Sequence, residues 1–195
     1  MSAEHHRAIL DAATQVFSRF GFAKASVDDI ARRAGVGKGT VYLHFESKEA
    51  LFATVVRGVW GKVTEGQLAA MRGLRTTDGK LRAFLRARLD QVTAIARTLQ
   101  ITEETARELL PLAMPYLTES RERELQIIEE IMLEGIRAGL MEVREPRQVA
   151  IGLMNWLDGS NFTFSPDSIA ELRASEDALV DVFIRGLMAP AHTTR

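Results

Sequence analysis

Between Val27 and Leu51 the chain allows very little choice of fold. Two short segments with apolar residues at helical spacing flank the break Ala34-Gly35-Val36-Gly37. On the first segment, Ile30, Ala31 and Ala34 share one side. On the second, Val41 and Phe45 are four apart and share another. Gly35 suits the left-handed backbone of a tight turn, and Val36 can plug the angle between the two helices. Neither segment is long enough to be a stable helix alone, so each must pack on the other and on a brace. This is the pattern of a helix-turn-helix, whose second helix enters the major groove of DNA.

The remaining chain reads as helix throughout. Ile9, Ala13, Val16, Phe17 and Phe20 place the brace at about 3–20, with Ser2 as its cap and Gly21 as its stop. Ser26 caps the second helix, and Asp28 and Asp29 suit its positive start. The third runs from about Lys38 to Phe45. Ser47 caps a long fourth, 48–72, which leaves the head and enters the body. The spacing predicts a fifth helix over 79–99 and a short sixth capped at Thr102 and ending near Leu110. Pro111 and Pro115 then bracket a joint. A seventh covers 116–138, stopped by Gly139, and an eighth covers 146–161 with Pro146 in its first turn. Asn161 to Ala174 reads as loop, and Ser175 caps a last helix to about 188. The expected fold class is therefore all-α, with about nine helices. A three-helix DNA-binding head (1–50) is joined by the long fourth helix to a larger ligand-binding and dimerisation body (51–195).

Composition narrows the function classes. The chain has 195 residues, 46% of them hydrophobic, so a packed core is affordable and wholesale disorder is excluded. There is no cysteine, which removes disulfides and thiolate metal sites and fits a cytoplasmic location. The start, Met1 to Arg7, lacks the apolar core of a signal peptide, and no apolar run approaches the length of a membrane span. Net charge is −1, against a protein that coats nucleic acid by bulk attraction. Residues 1–60 nevertheless hold 8 basic against 6 acidic side chains, which suits a local reading face. Nothing marks catalysis. His5, His6, His44 and His192 lack metal-ligand spacing, and there is no Gly-rich phosphate loop or nucleophile motif. No metal or other cofactor is expected.

The candidate DNA contacts are Ser26, Lys38, Gly39, Thr40, Tyr42, His44 and Lys48. Lys38, Gly39 and Thr40 lie at the end of the recognition helix that reaches base edges. Lys38 can donate to guanine, Gly39 lets the backbone approach closely, and Thr40 can touch a thymine methyl or a phosphate. Tyr42 offers a hydroxyl to phosphate, and His44 lies on the side of Thr40. Lys48 and the start of the fourth helix form an anion site, as does the start of the second at Ser26, which can equally be only a cap.

These residues carry a resemblance. Ala12-Ala13, Phe17, Phe20-Gly21-Phe22, Ser26-Val27-Asp28-Asp29-Ile30-Ala31, Ala34-Gly35-Val36, Lys38-Gly39-Thr40-Val41-Tyr42, His44-Phe45 and Ser47-Lys48-Glu49-Ala50-Leu51 resemble the tetracycline-repressor (TetR) family of bacterial transcription regulators. The likeness covers roughly the first 55 residues, and the remainder matches by helix layout only. Gly37 departs from it, since many members have serine there. The resemblance implies a homodimeric repressor that binds a palindromic double-stranded operator through its heads and releases it when the body binds a small molecule.

The last two helices carry more apolar residues than one inward stripe needs, and the resemblance implies a four-helix dimer interface there. Its candidate residues are Val149, Leu153, Trp156, Leu157, Leu179, Val182, Phe183 and Leu187. The pocket is expected among helices four to eight, lined from Trp60, Leu68, Met71, Phe84, Arg88, Gln91, Ile95, Met114, Tyr116, Met132, Asn155 and Phe162. If Arg88 is buried it needs an anionic partner, from the protein or a ligand. The sequence names no effector. Two other readings compete: a regulator without an effector that acts through protein partners, and a small-molecule carrier with a vestigial head. The intact Thr40, Tyr42 and Lys48 argue against the carrier.

Overall fold

A computed structural model describes residues 3–160 and 166–189, without the side chains of 159, 160, 166–173 and 176. Among these residues there are eight helices: α1 Ala3–Lys24, α2 Val27–Ala34, α3 Lys38–His44, α4 Lys48–Met71, α5 Thr77–Thr98, α6 Glu103–Arg137, α7 Pro146–Ser160 and α8 Pro166–Leu187. The all-α class is as expected. No described helix is long and apolar enough to cross a membrane.

Two expectations about helix limits are corrected. The sixth and seventh expected helices are one helix, α6, which runs through Pro111 and Pro115. A proline in a helix leaves the carbonyl four residues back without its partner, which is ruinous only where water cannot replace it. These two prolines are four apart and both exposed, while Ala113 and Leu117 on the other side are buried. Apolar packing therefore holds the helix together and solvent meets the freed carbonyls. The second correction concerns the expected loop at 161–174 and the cap at Ser175. α8 already begins at Pro166, so Ser175 lies inside it; proline fits a first helical turn because its missing N–H would be unpaired there anyway. Residues 161–165 lie outside the described residues.

The chain forms two compact units: Met1–Lys62 with Thr93–Ser120, and Val63–Val92 with Arg121–Arg195. The division runs through α4, α5 and α6 rather than along loops. The first unit has a core of Ile9, Ala13, Val16, Phe17, Ile30, Val41, Phe45, Leu51 and Phe52, joined by Ala113 and Leu117 of α6. The second is built on Leu81, Phe84, Leu85, Ile128, Met132, Leu153, Met154, Leu157, Val180 and Ile184.

In the first unit α6 is tied to the end of α1 by one carboxylate. Gly21 has φ 74 and ψ 178, a region open essentially to glycine alone. The turn it makes frees the Ala23 N–H, which donates to Glu108 Oε1 at 2.7 Å. A Cβ on Gly21 would sit 2.1 Å from Glu108 Oε2. Gly21→Ala must therefore strain the backbone and evict Glu108. The expected loss is about 2–3 kcal/mol in urea unfolding, from the strained backbone and the lost hydrogen bond together.

Candidate nucleic-acid interface

Local chemistry sets the turn. The Ser26 Oγ accepts from the Asp29 N–H at 3.1 Å and donates to the Asp29 carboxylate at 2.5 Å, which starts α2. Gly35 ends it at φ 69, with its N–H and that of Val36 closing on the last turn. Gly37 starts α3 without a side-chain cap, as its lack of a side chain requires; its carbonyl accepts from Thr40 and Val41. Ser47 Oγ accepts from the Ala50 N–H at 3.1 Å and starts α4.

Only Val41 of α3 is buried. With 3.6 residues per turn, a residue two places away lies about 200° round the helix, so Gly39 and Leu43 point most directly away from the core. Lys38 and Tyr42 flank them on one side, Thr40 and His44 on the other. Nothing lies within 4 Å of a Cβ built on Gly39. Tyr42 is 48% exposed and Leu43 67% exposed. Lys38, Gly39, Thr40, Tyr42 and Leu43 therefore form one open face, at the centre of which the backbone is bare.

Lys38, Ser26 and Lys48 also have work inside the fold. Lys38 Nζ is 2.7 Å from Asp28 Oδ2, and that carboxylate raises the ammonium above its usual range. Ser26 is spent on its cap. Lys48 Nζ donates to the Phe22 and Ala25 carbonyls at 2.9 and 3.1 Å and lies 4.4 Å from the centre of the Phe22 ring. An ammonium has three donors, so one remains for an anion. His44 is half-buried, its Nε2 has no hydrogen-bond partner among the described residues, and its ring is 5.5 Å from that of His6. The sequence reading passed over Leu43, and it gave Asp28 to the start of α2 without its pairing with Lys38. The angular position opposite Val41 would have found Leu43.

The pocket candidates divide between the two units. Trp60, Ile95, Met114 and Tyr116 belong to the first. There Tyr116 packs edge-on to Phe52, with ring centres 6.3 Å apart, and Met114 is exposed. Leu68, Met71, Phe84, Arg88, Gln91, Met132 and Asn155 belong to the second. Phe84 and Met132 are wholly buried core, and Asn155 is exposed. Phe162 lies outside the described residues. Arg88 is only 1% exposed, and its anionic partners come from the protein. Its Nε is 3.4 Å from Glu124 Oε2 and its Nη2 donates to Asp158. Asp158 also takes Arg121, which reaches Asn155 Oδ1 at 2.7 Å. Beside them Gln67 is fully buried, with its amide turned to the Glu124 carboxylate. Burial dominates here: it pushes the Glu124 carboxyl up and the Arg88 guanidinium down. Near α8, a cleft of about 190 Å³ is lined by Arg86, Leu89, Asp90 and Asp177, none of them a pocket candidate. Among the described residues no group of three or more His, Cys, Asp or Glu could hold a metal.

Of the dimer candidates, Leu153, Leu157 and Leu187 are buried within their own unit. Val149, Trp156 and Phe183 are half-buried, whereas Leu179 and Val182 are 50% and 63% exposed.

Comparison with known proteins agrees with this geometry. Residues 9–55, which span α1 to the first turns of α4, match the bacterial regulatory proteins of the tetR family. The chain is 28% identical over 155 residues to the uncharacterized HTH-type transcriptional regulator YhgD of Bacillus subtilis, covering 79% of this chain and 81% of that protein. It is 26% identical over 151 residues to the fatty acid metabolism regulator protein of the same organism, covering 75% and 78%. Among solved structures it is similar to the transcriptional regulator FadR from Bacillus subtilis in complex with stearoyl-CoA, with TM-score 0.69 and 22% identity over 93% of this chain and 99% of that one. Residues 9–55 thus carry the match to the bacterial regulatory proteins of the tetR family, and along most of its length the chain is similar to bacterial transcription regulators.

Proposed function

We propose that the chain is a repressor that holds a palindromic operator as a homodimer and releases it when a small molecule occupies the body. The observation that carries this reading is the open face of α3, where Lys38, Gly39, Thr40 and Tyr42 surround a bare stretch of backbone. Lys38 exchanges Asp28 for a guanine edge, Thr40 and Tyr42 hold phosphate, and the spare donor of Lys48 adds a further anion contact. His44 borders this face beside Thr40, and Ser26 contributes by capping α2. The head is taken as residues 1–50 and the ligand-binding and dimerisation body as 51–195.

One α3 makes few contacts, so specificity needs two heads with half-sites one helical turn or a multiple apart. The dimer surface we assign is the outer side of α8 at Leu179 and Val182, with Val149, Trp156 and Phe183 at its border. Both exposed residues can be changed without touching the core. Leu179→Glu with Val182→Glu is expected to turn the dimer into a folded monomer by light scattering. Operator affinity should fall roughly a hundredfold once the two heads no longer bind together. An unchanged mass would remove α8 as the interface.

For the effector we infer a long-chain acyl thioester. Its support is the likeness along most of the chain to a fatty acid metabolism regulator and to a fold solved with stearoyl-CoA. Arg88, Glu124 and Gln67 are buried polar groups beside the apolar core of the second unit. The experiment is a gel shift on duplexes selected from random DNA by the full chain. Stearoyl-CoA is expected to release the duplex, and coenzyme A alone is not. Retention at saturating stearoyl-CoA would rule out this effector; failure to select any duplex would rule out the regulator.

A further inference from the structure

We propose that Leu43 reads a thymine methyl group in each half-site. The proposal rests on the DNA-binding reading of α3 and says which feature of the sequence one of its side chains selects. Among the large apolar side chains that the structure leaves exposed, Leu43 is the most open, at 67%. It has no role in the core, since Val41 and Phe45 on either side of it supply the buried contacts of this segment. It lies one turn beyond Gly39 on the outermost line of α3, so the approach that brings the bare Gly39 backbone to DNA brings Leu43 with it. That turn is a rise of about 6 Å, well inside the roughly 12 Å width of the major groove.

A leucine has no donor or acceptor, so it cannot hold a phosphate or a polar base edge. The one apolar group that bases present in the major groove is the C5-methyl of thymine. Its neighbours are already suited to other tasks: Tyr42 and Lys48 to phosphate, Lys38 to an acceptor edge. The operator should therefore carry a thymine at one fixed position of each half-site, set by Leu43 rather than by hydrogen bonding.

Deoxyuridine differs from thymidine by that methyl alone. In a duplex selected by the full chain, each symmetry-related thymine pair is replaced by deoxyuridine in turn, and affinity is measured for the wild type and Leu43→Ala. One pair is expected to weaken wild-type binding by about fourfold per half-site, the value of one buried carbon, or about fifteenfold for both. The same exchange should leave Leu43→Ala unaffected. Circular dichroism should show Leu43→Ala folded, as its exposure implies. Wild-type binding indifferent to every exchange would overturn the assignment, and so would penalties that all persist in Leu43→Ala, which would give the methyl contact to another side chain such as Thr40. Failure to select any duplex would instead overturn the DNA-binding reading, and this inference with it.

Discussion

Gly39→Glu is expected to give a protein that folds at least as well as the wild type and no longer binds DNA. The site has room: a Cβ there meets nothing within 4 Å. Replacing glycine inside a helix gains about 0.5 kcal/mol. A carboxylate in the first turn of α3 adds a favourable interaction with the helix start. In solution the change is therefore stabilising. Against DNA it is the reverse, because the new side chain fills the bare stretch of the α3 face and brings negative charge among phosphates. Like charges brought together at an interface cost several kcal/mol, so binding should fall by roughly a hundredfold or more. Gly39→Ala separates the two causes: it adds bulk without charge and should cost only a fraction of that loss. Fluorescence anisotropy on a selected duplex, with urea unfolding alongside, gives both readings. Undiminished binding by Gly39→Glu would mean that the outward face of α3 is not the reading surface.

Such a separation of folding from binding explains which parts were legible beforehand. The limits of α2, the turn and α3 follow from chemistry inside a few residues: the Ser26 cap, the left-handed Gly35 and the Ser47 cap. Local rules suffice there because the motif is short. They fail at α6, where Pro111 and Pro115 look like a joint in sequence. What keeps that helix whole is the burial of Ala113 and Leu117, a tertiary fact. The start of α8 was missed because the polar residues around Pro166 resemble a loop in sequence, although proline fits a first helical turn. Leu43 was lost differently. Attention to polar groups passed over it, although its angle from Val41 marks it as the outermost side chain of α3 together with Gly39. For Arg88 the need for an anion was readable, but its suppliers stand on other helices, Glu124 on α6 and Asp158 on α7.

Arg88→Met should be the most damaging single change in the body, and Glu124→Gln a mild one, although the two residues form one pair. Arg88 is 1% exposed and Glu124 0% exposed. Removing the arginine leaves Glu124 buried without its nearest cation, and removing one partner of such a pair costs about 3–5 kcal/mol. Removing the charge of Glu124 leaves Arg88 still bonded to Asp158, so the loss is about 1 kcal/mol. Arg88→Met with Glu124→Leu takes both charges out of the apolar surroundings and should recover much of the single-mutant loss. The dependence on pH gives a second reading. Burial, the dominant influence, raises the Glu124 carboxyl above its ordinary value, so the folded chain holds that proton more tightly than the unfolded one. The contribution of Glu124 to stability is therefore full below the ordinary value and is lost as pH rises through the raised one. Subtracting the stability of Glu124→Gln from that of the wild type isolates this group from Glu49 and Glu122, whose carboxyls are lowered and act in the opposite sense. The difference should fall with rising pH. A flat or rising difference would mean that the Arg88 charge outweighs desolvation at Glu124, and the large cost expected for Arg88→Met would then reflect a lost attraction rather than a stranded charge.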